Sequence, residues 1–539
     1  MSCAKNPTYR TRNGIALLMS MIFVVIFSVL AVSLASISGT NVQLASNQHK
    51  VNCALLAAQS GLECAKYITA SADLGKTMFN TVSDAEANEA WNDLCQYVQN
   101  IALDGQAVGW PTRFTDSAGS GDQLAISPIN FGSTNVDFSL RFYRYDGDSH
   151  TIKIESTGAD GQVTRKIGMD MEITKDNEVL NYAVASRGRM WLTGDTTIHG
   201  DVFSSWDRPE IPPYNMTGDS TVLGTINTVL TLDQIEQQSY QLETLDENGE
   251  PMFDENGNRI YSPHDEVQAY HEGINYSQPY EDIPGMDISD YNTDCYDSGL
   301  VSIQECPSEL RKQEYFPHAA ADYNQPRDSG SHRYERHVYE NQTFTNARLP
   351  INRHALFKNC TFEEVLYIDS STTSTRQRYC NNVRFQDCTF NGVIVTDVPQ
   401  SLDWKDNCLY FTGAAAFDNQ SSVQEATILA PHFNVNLGNT NPEQSDNNVL
   451  TGAIVGGIVD VRGNAQIYGT IISMCDTTPW SSGYVTNIGA TLDDGGSETT
   501  ELGDIGVISI TPEEDKMLPS GITSPIIIKP LFDTYSEGT

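Results

Sequence analysis

The densest group of titratable side chains in this 539-residue sequence runs from His332 to His337 and reads His-Arg-Tyr-Glu-Arg-His. Its order resembles the zinc-peptidase motif H-x-x-E-H, but one residue too many separates Glu335 from His337. The cluster therefore predicts a polar surface turn and no zinc site. The sequence also lacks the G-x-S-x-G pattern of serine hydrolases and the phosphate-binding P-loop.

Carboxylates are the most abundant reactive groups, since 70 Asp and Glu residues face 32 Lys and Arg residues, and the formal charge is −38. Nucleic-acid binding needs clustered positive charge, so this balance argues against nucleic acid as a partner. Hydrolysis of a glycosidic bond needs two carboxylates about 5–9.5 Å apart on one face, and no such pair is recognisable. We predict no catalytic residue and no resident cofactor.

A calcium site is the one metal site that the acidic residues suggest. Residues 231–300 hold 17 acidic residues and one basic residue, Arg259. An EF-hand loop beginning at Asp254 is excluded, because Arg259 and Asp265 stand where Gly and Glu are required. A solvated acidic loop remains the alternative. The sequence predicts weak calcium binding, with ligands from Asp246, Glu247, Asp254 and Glu255.

Cysteines supply the remaining candidate chemistry, and no C-x-x-C pair points to zinc. Cys64 with Cys95 would join the long N-terminal helix to a second helix, predicted from the capping box Ser83-Asp84-Ala85-Glu86. Cys295 with Cys306 would close a short loop. Cys360 with Cys388 and Cys380 with Cys408 repeat at an offset of 28. Each of these last two pairs would form either a disulfide or a buried stack of thiols, since adjacent strands lie about 4.8 Å apart.

The elements that position these residues begin with one long helix. No charged residue occurs between Arg12 and Lys50, and residues 15–37 exceed the roughly 18 apolar residues that indicate a membrane span. Lys5, Arg10 and Arg12 precede it, which places the N-terminus in the cytoplasm and the bulk of the chain across the membrane. An amphipathic pattern continues the helix to about residue 70.

This N-terminus resembles that of type IV pilins, and most closely that of PilX-type minor pilins, over about residues 10–70. The residues that carry the resemblance are Arg12-Asn13-Gly14, Ser46-Asn47-Gln48 and Ala57-Ala58-Gln59-Ser60-Gly61-Leu62-Glu63. Major pilins have Phe and Glu at the first and fifth mature positions, where this chain has Ile15 and Met19. In this respect the chain resembles a non-major or tip subunit.

The resemblance implies a processing site, partners and a location. A prepilin peptidase would cut between Gly14 and Ile15, and the helix would then pack against other pilin subunits and pilus assembly proteins. The protein would be a single-pass inner-membrane protein of a bacterium, with its bulk periplasmic or extracellular, on a pilus or at the cell surface. A plain signal anchor is the alternative interpretation of the same segment.

The rest of the chain is predicted to be mostly β-structure. Alternation of apolar and polar residues over 136–173 indicates an antiparallel meander. Phe357-Lys358-Asn359-Cys360-Thr361-Phe362 recurs as Phe385-Gln386-Asp387-Cys388-Thr389-Phe390, and the pattern of 194–202 recurs at 463–471. Such repeats favour the coils of a right-handed parallel β-helix, or solenoid, over a β-sandwich.

We therefore expect an α+β pilin-like module followed by a mainly-β solenoid. The predicted parts are a leader (1–14), a transmembrane and amphipathic long helix (15–70), a pilin-like head (71–175), a β-solenoid (176–475) with an acidic insertion at about 230–340, and a C-terminal tail (476–539). The predicted function is that of a non-catalytic pilin-like subunit of a type IV pilus or type II-like secretion filament. The solenoid would serve adhesion or assembly, with a glycan or surface as its ligand. A membrane-anchored polysaccharide lyase or hydrolase is the alternative.

Overall fold

A computed structural model gives the fold of the chain. It describes residues 13–103, 106–107, 112–115, 122–132, 135–145, 147–192, 195–209, 213–216, 220–231, 233–234, 242–243, 261–262, 274–275, 293–315, 333–370, 381–398, 407–413, 415–417, 426–438, 448–462, 465–474, 485–489, 507–512 and 517–538. These residues form two compact units. Unit 1 comprises residues 1–75, 83–174 and 526–539, and unit 2 comprises residues 76–82 and 175–525.

The helices α1 (Asn13–Ser71) and α2 (Asp84–Asn100) are followed mainly by strands. Up to residue 175 the strands are β1 (Lys76–Thr77), β2 (Ala102–Leu103), β3 (Gln106–Ala107), β4 (Thr112–Thr115), β5 (Asp122–Asn130), β6 (Val136–Arg144), β7 (Thr151–Asp160) and β8 (Val163–Lys175). Up to residue 315 they are β9 (Tyr182–Ser186), β10 (Arg189–Leu192), β11 (Asp195–Ile198), β12 (Asp201–Ser204), β13 (Tyr214–Met216), β14 (Thr221–Val222), β15 (Ile226–Thr228), β16 (Leu242–Glu243), β17 (Tyr261–Ser262), β18 (Ile274–Asn275), β19 (Val301–Ser302) and β20 (Lys312–Tyr315). The later strands are β21 (Arg333–Glu340), β22 (Thr343–Leu349), β23 (Ala355–Lys358), β24 (Thr361–Ile368), β25 (Asn382–Gln386), β26 (Thr389–Thr396), β27 (Cys408–Thr412), β28 (Ala416–Phe417), β29 (Ala426–Gly438), β30 (Asn448–Thr451), β31 (Ala453–Arg462), β32 (Ala465–Tyr468), β33 (Ile471–Ser473), β34 (Val485–Ile488), β35 (Val507–Thr511) and β36 (Ser524–Gly538).

Unit 1 packs the second half of α1 and α2 against an antiparallel sheet. Within unit 1 the sheet has the strand order β36-β8-β7-β6-β5-β4. Helix α1 lies against β7 so closely that a Cβ atom on Gly158 would stand 2.1 Å from the backbone oxygen of Ala54. The other helix begins at a capping box, in which the Ser83 side chain accepts from Glu86 N and the Glu86 carboxylate accepts from Ser83 N. The predicted head is therefore a helix-on-sheet module.

The last strand of that sheet was not predicted. Residues 476–539 were expected to be a tail, yet β36 joins the sheet of unit 1 beside β8. Asp170 N donates to Thr534 Oγ1 at 2.8 Å, and Ser536 Oγ donates to the Gly168 carbonyl. The long chain between β8 and β36 makes this pairing invisible to local patterns. Residues 175–525, the main part of unit 2, thus lie in the chain between two strands that are neighbours in the unit 1 sheet.

Unit 2 consists mainly of parallel ladders of short strands. Strand β23 pairs with β25 and β25 with β27, while β22 pairs with β24 and β24 with β26. Phe357 lies opposite Phe385, and Phe362 lies opposite Phe390. The 28-residue repeat in the sequence is therefore the pairing register of adjacent strands.

Two columns of aromatic rings fill the interior beside these strands. Tyr339, Phe357, Phe385 and Phe411 form one column with ring centroids 5.0, 5.5 and 5.0 Å apart. Phe344, Phe362, Phe390 and Phe417 form the other at 5.4, 5.1 and 4.7 Å. The rings of one column meet those of the other edge to face, which is a favourable arrangement of aromatic quadrupoles.

The ladders do not follow the order of the chain. Strand β9 pairs with β33 on one side and with β12 on the other, and β11 lies between β35 and β14. The first strands of unit 2 are thus next to its last ones. The ladders also extend to Thr511, beyond the predicted boundary at 475. The two related glycine-containing segments are separated in space by a single strand, β35.

Candidate assembly and membrane interface

The first half of α1 is the largest apolar surface in the described part of unit 1. From Ile15 to Lys50 every residue is exposed, including Phe27 at 65% and Val32 at 70%. Burial begins only after Lys50, and Ala54 and Ala58 are fully buried. Exposure of so many apolar side chains to water is unfavourable, because burial of each one would contribute about 1.5–3 kcal/mol of free energy. This half of the helix is therefore built for a lipid or protein environment.

Three hydroxyl groups in this half are satisfied within the helix. The hydroxyl of Ser20 donates to the Leu17 carbonyl at 2.9 Å, that of Ser28 to Val24 at 2.6 Å and that of Thr40 to Ser36 at 2.9 Å. Such bonds remove the cost of placing a hydroxyl in hydrocarbon. By length and composition, α1 can span a membrane.

The predicted processing residues lie at the start of this helix. Gly14 and Ile15 follow Asn13, where α1 begins, and Ile15 is 70% exposed. Met19, at the position where the resemblance leads one to expect Glu, is exposed at 53%. Cleavage between Gly14 and Ile15 stays a prediction.

A polar patch separates the two halves of the helix. Gln48 Nε2 donates to Asn52 Oδ1 at 3.1 Å, and Cys53 Sγ lies 3.7 Å from His49 Nε2. The two residues of each pair are one helical turn apart, so their side chains form a polar band near the start of the buried half of α1.

The part of the cluster that the structure describes, residues 333–337, lies in strand β21 and not in a surface turn, and Tyr334, Arg336 and His337 are buried there. Arg336 is fully buried in β21, where Nη1 donates to the Ala355 carbonyl at 2.8 Å and Nη2 to Asn382 Oδ1 at 2.7 Å. Pairing of β21 with β23 places this guanidinium against the next strand. The sequence prediction failed because a charged side chain is buried only when partners satisfy it, and those partners lie 19 and 46 residues away.

No disulfide joins the cysteines that the structure describes. Cys64 and Cys95 are both free, and burial raises the pKa of Cys95 to about 12. Cys306 is also free and is not bonded to Cys295; its sulfur lies 3.6 Å from Nδ1 of His337. Burial lowers the pKa of that histidine, and the charges of nearby arginines lower it further. Neither predicted disulfide is present.

Cys360, between β23 and β24, and Cys388, between β25 and β26, occupy equivalent positions, as the 28-residue offset predicts. Both are buried free thiols, and a hydrogen bond from Cys388 lowers the pKa of Cys360 while raising that of Cys388. The structure therefore has the thiol pair and not the disulfide. Cys380 lies outside the described residues, while Cys408 is buried in β27.

The predicted calcium ligands Asp246, Glu247, Asp254 and Glu255 also lie outside the described residues. Within the ranges that the structure describes, no group of three or more His, Cys, Asp or Glu side chains is arranged to hold a metal ion. Calcium binding remains a prediction from the sequence.

An exposed apolar helix of membrane-spanning length, followed by a mostly-β body, defines the general class of this protein: a membrane-anchored protein with a large β-rich region. More specifically, residues 13–63 match the family described as PilX N-terminal. The match confirms the resemblance to PilX-type N-termini and ends close to Gly61-Leu62-Glu63.

No curated protein matches the chain. Among solved structures, the crystal structure of the competence-associated pilin ComZ from Thermus thermophilus is similar at 10% sequence identity, over 91% of this chain and 97% of that one, with a TM-score of 0.26.

Proposed function

We propose that this chain is a non-catalytic, pilin-like subunit of a type IV pilus or type II-like secretion filament. The observation that carries the proposal is that the PilX N-terminal match covers both halves of α1, the exposed apolar half and the half that packs on the unit 1 sheet. A helix of this kind holds a subunit in the membrane before assembly and supplies an apolar surface to neighbouring subunits afterwards. Its partners are other pilin subunits and pilus assembly proteins.

We further propose that unit 2 is a parallel β-solenoid carried outside the inner membrane for adhesion or assembly. The parallel ladders, the 28-residue register and the two aromatic columns support this part of the proposal. Three basic residues before the span, Lys5, Arg10 and Arg12, support the orientation with the N-terminus in the cytoplasm.

N-terminal sequencing of the protein extracted from membranes tests the proposal. We expect the mature chain to begin at Ile15 after removal of a leader by a prepilin peptidase. Gly14→Ala should block this processing, whereas the matched change Gly39→Ala, which meets no atom within 4 Å, should leave it intact. An intact Met1 in the wild-type protein, or a start beyond Ser36, would contradict the pilin-like assignment.

A further inference from the structure

A cavity of about 450 Å³ in unit 2 adjoins the two aromatic columns. Tyr339 and Phe344, each the first described ring of its column, both line it. Phe344 is half-buried, whereas the corresponding rings of Phe362 and Phe390 are buried. The cavity volume falls within the roughly 300–1,000 Å³ range of small-molecule sites.

The cavity exists because β19 covers only part of β22. Val301 and Ser302 pair with Ala347 and Arg348, near the end of β22, and the cavity lies beside the earlier residues of that strand. Its wall is fixed by a hydrogen bond of 2.7 Å from the Tyr339 hydroxyl to the Gln304 carbonyl. The site is therefore preformed. The rings of Tyr339 and Phe344 line it at a place where β19 does not extend along β22.

Both apolar and polar residues line the cavity. The aromatic surface is extended by Val301 and Leu310, which are 66% and 46% exposed. Three exposed polar residues beside Phe344 also line it: Gln342, Thr343 and Thr345. A purely aromatic ligand would leave these polar groups without complementary partners. A pyranose ring, which has an apolar C–H face and hydroxyls around its edge, matches both surfaces.

The charges around the cavity favour a neutral ligand. Among the described residues that line it, the only charged side chain is Glu305, and neither Lys nor Arg is present. The Glu305 carboxylate is paired with Arg311 at 2.6 Å and with Arg353 at 3.4 Å. These two arginines are thereby engaged, so an acidic sugar would lack a counter-charge while approaching a protein with a formal charge of −38.

We infer that this cavity binds a neutral saccharide, with one pyranose face against Phe344 and Tyr339 and the sugar hydroxyls toward Gln342, Thr343 and Thr345. The inference rests on the proposed function, because display outside the cell brings unit 2 to extracellular glycans. It assigns a ligand class to the adhesive role and locates the contact on one edge of the aromatic core.

Saturation-transfer difference NMR on the full chain tests this inference. The protein is held in a deuterated amine-oxide detergent, because a sugar-headed detergent would compete for the site. The probes are methyl glycosides of glucose, galactose, mannose and N-acetylglucosamine, with methyl glucuronide and p-cresol as comparators. Irradiation of the upfield methyl resonances of the protein, which coincide with no probe signal, should transfer saturation to the C–H protons of at least one neutral glycoside, and methyl glucuronide should bind at least tenfold more weakly.

Two matched variants locate the site. Phe344→Leu should abolish the transfer, because it removes the ring at the cavity, whereas Phe417→Leu changes a ring of the same column away from the cavity and should preserve it. Thermal midpoints of both variants show whether either has lost its fold, and Thr343→Val with Thr345→Val gives a second test that leaves the column intact and should weaken binding.

Three results would overturn the inference: no transfer to any neutral glycoside, transfer to p-cresol alone, or equal loss in the Phe344 and Phe417 variants when both are folded. Failure here is separable from failure of the proposed function. If the mature chain begins at Ile15 but binds no saccharide, the pilin-like assignment stands and the saccharide inference fails. If the chain binds a saccharide but still begins at Met1, the pilin-like assignment fails.

Discussion

The ring of Phe357 lies parallel to that of Phe385, with centroids 5.5 Å apart and planes inclined by 10°. The two residues are directly opposite in adjacent parallel strands, and both are fully buried. Each also meets Phe362 edge to face, at 5.0 and 5.5 Å. Because every ring in the column contacts the next, the loss of one ring breaks the column into two separate pieces.

Replacement of Phe385 by Ala should destabilise unit 2 by about 3–5 kcal/mol, the usual cost of a cavity left by a buried Phe. Hydrogen–deuterium exchange of peptides from β23, β25 and β27 measures the effect. Phe532→Ala, at a ring that is 69% exposed in unit 1, is the control and should cost about 1 kcal/mol or less. Equal effects of the two changes would refute a structural role for the column.

Asn359 should tolerate Gly better than Ala. Its φ of 49° is in the left-handed region, as are those of Asn341, Asp387 and Gly413 at equivalent positions of neighbouring strands. Its amide donates to Asn341 Oδ1 at 2.6 Å. Asn359→Ala loses the bond and adds about 1–2 kcal/mol of backbone strain, whereas Asn359→Gly loses only the bond. Denaturant unfolding should rank wild type above Gly and Gly above Ala, and a variant with Ala as stable as Gly would show that the strain is absent.

Gly158→Ala should loosen the packing of α1 on the sheet of unit 1. The new Cβ would lie 2.1 Å from Ala54 O and 2.4 Å from Ala58 N, so the helix or the strand must move. We expect a loss of about 1–3 kcal/mol, as for other overpacked interiors, seen as faster amide exchange in residues 54–71. Gly538→Ala, whose nearest contact would be 3.7 Å, is the matched control and should leave exchange unchanged.

Asp122 should make unit 1 sensitive to acid. Burial alone would raise its pKa, but hydrogen bonds from Arg113 and Trp91 outweigh that effect and hold the pKa below its usual 3.8. Trp91 Nε1 donates at 2.8 Å and Arg113 Nε at 2.9 Å. A depressed carboxyl pKa contributes stability that is fully present above the unfolded value and is lost as the pH falls below about 3.8 through the folded value.

Asp122→Asn is the variant that tests this pH dependence. At neutral pH it should cost about 1–3 kcal/mol, because the hydrogen bonds to a charged acceptor are weakened. The difference from wild type should shrink below pH 4, when Asp122 itself becomes neutral. Exchange of amides in α2 at both pH values measures it, and a difference that persists unchanged at pH 3 would exclude Asp122 as the cause.

Local patterns in the sequence were sufficient where neighbouring residues set the structure. The apolar run from Ile15, the capping box at Ser83 and the Phe357/Phe385 repeat all correspond to elements that the structure contains. Each depends on spacing within one element or on two similar segments that stack. The alternation over residues 136–173 likewise predicted β6, β7 and β8.

Distant pairings could not be predicted in this way. Arg336 is stabilised by groups on two later strands, and β36 pairs beside β8 after more than 300 intervening residues. Similarly, β9 pairs with β33 through backbone hydrogen bonds, and the side-chain types of the two strands do not reveal this pairing. The saccharide cavity was missed because it arises from a strand, β19, that is too short to cover its neighbour.

The insertion of unit 2 between β8 and β36 has a consequence for how the molecule is made. During synthesis strand β8 leaves the ribosome first, and its neighbour β36 follows only after residues 176–523 have been made. Until then the edge of β8 presents unpaired backbone groups, which are a template for pairing with another chain. The edge of β8 in a nascent subunit is therefore exposed until β36 has been made. A chain that ends between residues 176 and 523 keeps an open sheet edge that chaperones and proteases can recognise.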